Sequence, residues 1–244
     1  MTHRGAEFFD DDAIFETYMA RRNRLNSPNE TLEKPVFLEL LKDVKDKRIL
    51  DLGSGDGGFG VELLKQGCRT YTGLEASGKM VAQARQELAG TVAVIEQGTI
   101  EGWTFPAERF DLVVSRLTLH YIEDLSQVLQ KVHHTLVSNG VMIFSVLHPI
   151  ITSCIKSAEK SSVREDWVVG DYFVNGPRHV PWMGGHVIQY HRTTEDYFKL
   201  LQENGFVIEH LRESRPIADR FQDKELLERR MRIPLFLLLS GRKC

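Results

Sequence analysis

The segment from Arg48 to Gln66 constrains the fold more than any other part of the sequence. Residues 48–52 (Arg-Ile-Leu-Asp-Leu) have the pattern of a buried strand, and residues 59–66 have the apolar spacing of a helix. Between them stand Gly53-Ser54-Gly55-Asp56-Gly57-Gly58, a glycine-rich turn. Parallel sheets bind ligands at the carboxyl ends of their strands, and glycines let the backbone approach a ligand closely. This segment therefore predicts a ligand site.

The alternation of strands and helices continues well beyond this turn. The sequence predicts a helix from residue 29 or 30, and it predicts further helices over 77–88 and 125–137. Five strands are predicted at 48–52, 70–74, 91–96, 110–115 and 141–147, with Asn139-Gly140 as a tight turn before the last of them. Strands that alternate with helices indicate a parallel sheet covered on both faces.

The regular alternation stops after residue 149, so we divide the chain into four parts. Residues 1–28 form an N-terminal cap, 29–149 a ligand-binding core, 150–192 a lid over the substrate, and 193–244 the rest of the core sheet. The lid segment is rich in aromatic residues and is predicted to lack regular structure. In the last part, Thr193 and Asp196 predict a capped helix, and two more strands are predicted at 206–211 and 235–240.

Composition excludes several classes of protein. The chain has 244 residues, a net charge of −3 and 42% hydrophobic residues, which is typical of a globular fold and argues against a general nucleic-acid binder. Its three cysteines, Cys68, Cys154 and Cys244, are too scattered for a metal site, so no metal is expected. The sequence shows neither a signal peptide nor a membrane span, so we expect a cytoplasmic protein.

The glycine turn formally fits two cofactor classes. Gly53, Gly55 and Gly58 satisfy the GxGxxG pattern of dinucleotide-binding proteins, but that pattern alone is weak. Asp51 would repel a pyrophosphate, whereas it can accept a hydrogen bond from an amino group. Glu75, at the end of the second strand, can accept hydrogen bonds from both hydroxyls of a ribose. The residues favour a nucleoside that carries a cationic amino group and no phosphate; a nicotinamide-dependent oxidoreductase stays as the residual alternative.

Several motifs in order resemble those of class I S-adenosylmethionine-dependent methyltransferases, of the type that acts on small molecules. The resemblance covers about residues 30–150 and the last two strands. The matching segments are Ile49 to Gly57, Gly73 to Ser77 with Met80, Gln97 to Glu101, Phe110 to Leu117 with His120-Tyr121-Ile122, and Gly140 to Phe144. The resemblance implies a seven-stranded, mostly parallel Rossmann-like sheet with helices on both faces and an antiparallel last strand. It also implies S-adenosyl-L-methionine as cofactor and S-adenosyl-L-homocysteine as product.

The same resemblance implies a set of cofactor-binding residues. Glu75 holds the ribose, the glycine turn passes under the methionine part, and an N-terminal aromatic residue closes over the cofactor. Thr99 stands where the family often has an aspartate that bonds the adenine amino group. The full set is Tyr18, Asp51, Gly53, Ser54, Gly55, Glu75, Ala76, Met80, Thr99, Ile100, Ser115 and Leu117.

Catalytic residues are less constrained, since methyl transfer needs a general base only when the acceptor is protonated. His148 after the fifth strand and His120 with Tyr121 after the fourth are the candidates. Arg22, Arg192 and three further arginines could bind an anionic acceptor. We expect transfer to an oxygen or nitrogen of a small molecule. A tRNA or protein acceptor, or a cofactor-binding protein without catalysis, remain the alternatives.

Overall fold

The computed structural model describes residues 2–3, 5–22, 24, 27–157 and 166–244. The strands are β1 (Thr2–His3), β2 (Arg48–Leu52), β3 (Thr70–Glu75), β4 (Val94–Gln97), β5 (Phe110–Arg116), β6 (Leu136–Leu147), β7 (Gly176–Trp182), β8 (Gly185–His191), β9 (Phe206–Glu213) and β10 (Phe236–Lys243). The α-helices are α1 (Ala6–Asp10), α2 (Asp12–Arg22), α3 (Lys34–Leu41), α4 (Gly58–Lys65), α5 (Gly78–Glu87), α6 (Leu125–Thr135), α7 (Pro149–Ser153), α8 (Thr194–Glu203) and α9 (Lys224–Arg232).

Seven strands form the central sheet, in the order β4-β3-β2-β5-β6-β10-β9. The pairs among β2 to β6 are parallel, whereas β10 runs antiparallel to both β6 and β9. The predicted α/β fold with an antiparallel last strand is confirmed. The middle strands are apolar on both sides, so two hydrophobic clusters form, one on each face of the sheet.

Local signals in the sequence determine where several helices begin. Thr193 Oγ1 accepts a hydrogen bond from Asp196 N, and the Asp196 carboxylate accepts one from Thr193 N, which is the predicted capping box. Ser77 caps α5 in the same way by accepting from Met80 N. Cap side chains satisfy backbone N–H groups that have no partner inside the helix, so α5 and α8 start where these residues stand.

The lid segment contains regular structure, so the prediction that it lacks any is wrong. β7 and β8 form an antiparallel hairpin whose turn residues, Met183 and Gly184, have φ angles of 46° and 84°. Positive φ at both positions is the geometry of a tight hairpin turn, but a Met-Gly pair is not its usual signature. Pro177 and Pro181 also argued against a strand; β7 tolerates them because it is an edge strand.

The predicted turn at Asn139-Gly140 lies inside strand β6, where its pairing with β5 shifts register. β6 starts at Leu136 and runs through both residues. Asn139 adopts a φ of 63° within the strand, and its carbonyl accepts a hydrogen bond from Arg242 of β10. Asparagine tolerates this left-handed conformation. Because the conformation occurs both in turns and in irregular strands, the Asn-Gly pair does not distinguish between them.

The N-terminal helices and the lid hairpin cover the carboxyl edge of the sheet together. We call α1, α2, β7 and β8 the roof. Phe8 of α1 stacks on Trp182 of β7 with ring centroids 5.1 Å apart, and these residues belong to a third hydrophobic cluster. Asp10 ties the roof to the core by accepting hydrogen bonds from Ser77 Oγ at 2.6 Å and Lys79 N at 3.3 Å. None of the helices in the described ranges is long and apolar enough to cross a membrane.

Candidate functional site

The glycine turn is fixed against the neighbouring strand β3. Gly53 N and Ser54 N both donate to Leu74 O, at 2.8 and 3.1 Å. Gly53, Gly55 and Gly57 have φ angles of 78°, 57° and 79°. A β-carbon on Gly53 would lie 2.2 Å from Thr118 Oγ1, whereas one on Gly55 would meet no protein atom within 4 Å. Gly53 is therefore required for packing, while Gly55 borders open space.

This difference predicts separate effects for two alanine substitutions. Gly53→Ala combines backbone strain with a clash, so it should lower the free energy of unfolding by at least about 2 kcal/mol. Gly55→Ala should cost only the strain of about 1 kcal/mol, but should weaken binding of an adenosyl ligand about tenfold or more, because its methyl group enters the ligand space. Urea denaturation and calorimetric titration with S-adenosylhomocysteine separate the two quantities. Equal losses of stability for both variants would contradict this assignment.

Glu75 holds the turn from the end of β3. Its Oε2 accepts a hydrogen bond from Gly55 N at 2.9 Å, and its Oε1 accepts from Ala76 N and Ser77 N at the same distance. Burial raises the pKa of this carboxyl above its usual value, and the three backbone N–H groups oppose that shift. The carboxylate is thus fixed in orientation at the edge of the cavity.

Asp51 is a buried carboxylate with one oxygen in use. It is 2% exposed, and its Oδ2 accepts a hydrogen bond from the Tyr71 hydroxyl at 2.7 Å. Its Oδ1 has no hydrogen-bond partner among the described residues. Burial raises the pKa of Asp51 to about 6, against the opposing effects of Tyr71 and Arg116. Buried polar atoms in native proteins nearly always have a partner, so Oδ1 is suited to receive a ligand donor.

A cavity of about 830 Å³ connects the glycine turn with the roof. Most of the residues predicted for the site line it: Tyr18, Asp51, Gly53, Ser54, Gly55, Glu75, Ala76, Met80, Thr99, Ile100, Leu117, His120 and Tyr121. Trp182 and Tyr190 of the lid also line it, as expected for an aromatic wall. The described part of the chain contains no cluster of three or more His, Cys, Asp or Glu side chains that could hold a metal ion.

Two predicted site residues lie outside this cavity lining. Ser115 is fully buried and donates from Oγ to Leu52 O at 2.8 Å, which joins β5 to β2. His148 is the N-cap of α7: its Nδ1 accepts from Ile150 N at 3.2 Å, and its Nε2 pairs with Glu213 Oε1 at 3.0 Å. Both ring nitrogens of His148 are thus used within the protein. The geometry does not support Ser115 as a cofactor ligand or His148 as a base, and we correct both assignments.

Arg22 connects the roof to the glycine turn, a contact that the sequence did not reveal. Its Nε and Nη2 donate to the two carboxylate oxygens of Asp56, at 2.6 and 2.7 Å, and its Nη1 donates to the Tyr18 hydroxyl at 3.3 Å. Arg22 is one of the five arginines that could bind an anionic acceptor, and it lines the cavity. Its bidentate ion pair with Asp56 joins the end of α2 to the glycine turn. The partners are 34 residues apart, and no sequence pattern links them.

A second ion pair, Glu33–Arg116, lies at the wall of the cavity, which Arg116 lines. Glu33, fully buried, pairs with Arg116 and also accepts a hydrogen bond from Ser145 Oγ at 2.7 Å. The Arg116 guanidinium lies 4.7 Å from the ring centroid of Phe59. Arg116 precedes Leu117, whose φ of 54° turns the chain into the cavity. This network therefore fixes the position of the last residue of β5 and the direction of the chain that follows it.

Removing one charge of the Glu33–Arg116 pair should strongly destabilise the folded protein. Glu33→Gln leaves the Arg116 charge buried without a carboxylate, so the free energy of unfolding should fall by about 3–5 kcal/mol. Glu39→Gln, on the exposed face of α3 and paired with Arg212, should change it by less than about 1 kcal/mol. Urea denaturation of the two variants beside the wild type measures the difference. A loss of stability no greater than that of Glu39→Gln would show that the Glu33–Arg116 pair is not structurally important.

The residues around the cavity fit S-adenosylmethionine. The unpartnered Asp51 Oδ1 suits its ammonium group, and the open space beside Gly55 gives room for a ligand against the backbone. Glu75 can accept hydrogen bonds from ribose hydroxyls. Ala76, Met80 and Ile100 give an apolar surface for the adenine. Thr99 Oγ1 accepts from Gly102 N at 3.1 Å, so the Thr99 hydroxyl can still donate.

Comparison with known proteins agrees with this fit. A methyltransferase-domain family matches residues 50–144. The structure of an S-adenosylmethionine-dependent methyltransferase from Mesorhizobium loti is 32% identical, with a TM-score of 0.81, over 89% of this chain and 99% of that one. A proposed S-adenosylmethionine-dependent methyltransferase from Listeria monocytogenes is 30% identical, with a TM-score of 0.80, over 87% and 96%.

Curated relatives add one full-length match and shorter ones. A Haemophilus influenzae protein is 32% identical over 96% of both chains. The ubiquinone biosynthesis O-methyltransferase of Azorhizobium caulinodans is 32% identical over 46% of this chain and 45% of its own length. This chain covers nearly the whole length of both structures just described. The chain belongs to the S-adenosylmethionine-dependent methyltransferase family.

Proposed function

We propose that the protein transfers the methyl group of S-adenosylmethionine to an oxygen or nitrogen atom of a small-molecule acceptor. The observation that carries this proposal is the continuity of one cavity from the glycine turn to the roof. Its volume of about 830 Å³ falls in the range of small-molecule sites, roughly 300–1,000 Å³. The shorter match to an O-methyltransferase of ubiquinone biosynthesis supports the same class of reaction.

The protein's contribution to this reaction is to hold and align the two molecules. Bound S-adenosylmethionine supplies a methyl group on a sulfonium, which is already activated for displacement. Glu75, Asp51 and the glycine turn would hold the cofactor, each through the atoms described above. The aromatic side chains of the roof, including Tyr18, Trp182 and Tyr190, would exclude water and orient the acceptor. Alignment of this kind lowers the barrier without a covalent step on the protein.

Transfer of a radiolabelled methyl group tests the proposal. The protein is incubated with labelled S-adenosylmethionine in three sets of reactions. The first set contains a panel of small hydroxy and amino compounds, the second bulk tRNA and the third a protein mixture. We expect label in at least one small compound. Label only in tRNA or protein would replace the small-molecule acceptor with a macromolecule. Binding of S-adenosylhomocysteine without transfer to any acceptor would favour a cofactor-binding protein that has lost catalysis.

A further inference from the structure

The imidazole of His120 is a buried group in the cavity with an unused nitrogen. His120 lies in the 3₁₀ turn Leu119–Tyr121 that follows β5, and it is 2% exposed. It lines the cavity, and its Nδ1 has no hydrogen-bond partner among the described residues. Such atoms are rare in native proteins and call for an explanation. A molecule held in the cavity would supply the missing partner.

Arg192 lies behind this turn and disfavours a positive charge at His120. Its Nη2 donates to Ile122 O at 2.7 Å and to Glu123 O at 2.6 Å, the two residues that follow the turn. The side chain is 9% exposed, and within the described ranges its guanidinium forms no salt bridge. An unneutralised buried cation repels an ammonium group near His120. The partner is therefore better a neutral group than a charged amine.

Burial and the Arg192 charge keep the imidazole neutral. Burial is the larger cause, and the two together lower the pKa of His120 to about 3. A neutral imidazole has one nitrogen that accepts a hydrogen bond. His120 can thus accept a hydrogen bond from a hydroxyl group at any physiological pH, but it is too weak a base to ionise a free phenol.

The walls beside His120 favour a flat ring. The Tyr121 ring lies 4.3 Å from the His120 ring, centroid to centroid, at an angle of 43°. Burial raises the pKa of the Tyr121 hydroxyl, so it stays protonated. Tyr18 and Trp182 meet edge to face across the roof with their centroids 6.0 Å apart. Aromatic walls of this kind bind planar apolar rings.

We propose that His120 positions the methyl acceptor: its Nδ1 accepts a hydrogen bond from the hydroxyl group of a planar hydroxy-aromatic compound. This inference rests on the proposed function and narrows its acceptor class. As the acceptor oxygen bonds to the methyl carbon, the electron pair of the old carbon–sulfur bond stays on sulfur, which becomes a neutral thioether. The hydroxyl proton moves to His120 Nδ1 and passes to water on product release. A weak base is sufficient, because an oxygen that has gained a methyl group while keeping its proton is strongly acidic.

Binding of a matched pair of probes tests the proposal without turnover. 4-Methylphenol keeps its hydroxyl proton at neutral pH and so has the donor, whereas 4-methylanisole carries a methyl group in its place. Equilibrium dialysis against the complex of the wild type with S-adenosylhomocysteine should show at least about tenfold tighter binding of the phenol. His120→Leu should remove this preference, and His120→Asn, which keeps an acceptor near the Nδ1 position, should restore most of it. His134→Leu, on α6 and outside the cavity lining, is the control and should keep the preference.

Turnover and cofactor binding complete the test. With a hydroxy-aromatic acceptor, His120→Leu should raise KM at least about tenfold, while its affinity for S-adenosylhomocysteine stays within about twofold of the wild type. Equal binding of the two probes by the wild type would overturn the inference, as would methylation of amines in preference to phenols. If no small acceptor is labelled at all, the proposed function fails. If small acceptors are labelled and His120→Leu behaves as the wild type, only the role of His120 fails.

Discussion

Replacing Glu75 with glutamine is expected to weaken binding of S-adenosylhomocysteine by about 10- to 100-fold, or roughly 1.4–2.8 kcal/mol. The carboxylate accepts hydrogen bonds from Gly55 N, Ala76 N and Ser77 N, and we expect the remaining lone pair of Oε2 to accept one from a ribose hydroxyl. A carboxylate can accept at all of these positions. An amide keeps the size of the side chain, but its NH₂ group would face N–H donors. The variant therefore loses both the ligand contact and the order of the glycine turn.

Isothermal titration calorimetry on the wild type and on Glu75→Gln measures this loss. Glu87→Gln, an exposed position on α5, is a matched carboxylate-to-amide control and should bind as the wild type does. Thermal denaturation of the ligand-free proteins shows how much of the effect comes from the turn alone. An affinity of Glu75→Gln within about twofold of the wild type would remove Glu75 from the cofactor site.

The second large effect is a pH dependence of cofactor binding that comes from Asp51. Because burial raises its pKa to about 6, Asp51 takes up a proton in the free protein as the pH falls from 7 to 5. The ionised form accepts a hydrogen bond from the ligand ammonium group, so affinity should be constant above about pH 7 and fall below 6. With a pKa of about 6, binding at pH 5 should be about tenfold weaker than at pH 7.5.

The stability of the ligand-free protein should change in the opposite direction. A carboxyl group with a raised pKa binds more protons in the folded state than in the unfolded state between its two pKa values. Its contribution to the free energy of unfolding therefore increases as the pH falls from about 6 towards the unfolded value near 3.8. Binding and stability thus give two separate readings of the same titration.

Asp51→Asn separates this titration from other effects of pH. The asparagine can still accept a hydrogen bond from the Tyr71 hydroxyl, but it has no charge to offer a ligand. At pH 7.5 we expect Asp51→Asn to bind S-adenosylhomocysteine about tenfold more weakly than the wild type does. At pH 5 we expect the variant and the wild type to bind it with nearly the same affinity. Calorimetric titrations at both pH values, with Glu87→Gln as control, provide the comparison. A parallel loss of affinity at pH 5 in Asp51→Asn would assign the pH dependence to another group.

The glycine turn could be predicted from sequence because its determinants are contiguous. A buried strand, a run of glycines and a helix follow one another within residues 48–66, and Glu75 is located by the next strand. The apolar patterns of the strands and the capping box at Thr193 also depend only on residues that are close together in the sequence. These signals were sufficient to locate the strands of the core along the chain, whereas most of the cavity-lining residues were implied by the family resemblance.

Other parts depended on contacts between distant residues. The resemblance implied Ser115 for the site and the position after a strand suggested His148, yet their partners, Leu52 and Glu213, are 63 and 65 residues away. Those partners use the polar atoms of Ser115 and His148 within the protein. The pairing of Arg22 with Asp56 and the buried position of Glu33 beside Arg116 are equally non-local.

His120 shows how burial changes a chemical role. From sequence, a histidine near the cofactor suggests a base with a pKa close to neutrality. In the fold, burial and Arg192, which is 72 positions further along the chain, lower that pKa to about 3. The expected role therefore changes from a base that ionises the acceptor to a neutral group that positions it. Neither the burial of His120 nor its proximity to Arg192 can be predicted from the sequence alone.

A crystal structure of the protein with S-adenosylhomocysteine tests the central claim most directly. We predict the ribose hydroxyls within hydrogen-bond distance of the Glu75 carboxylate, the amino group at Asp51 Oδ1, and the sulfur facing the part of the cavity that His120 and Tyr121 line. A ligand bound elsewhere, or one whose sulfur points away from His120, would contradict both the cofactor site and the position of the acceptor.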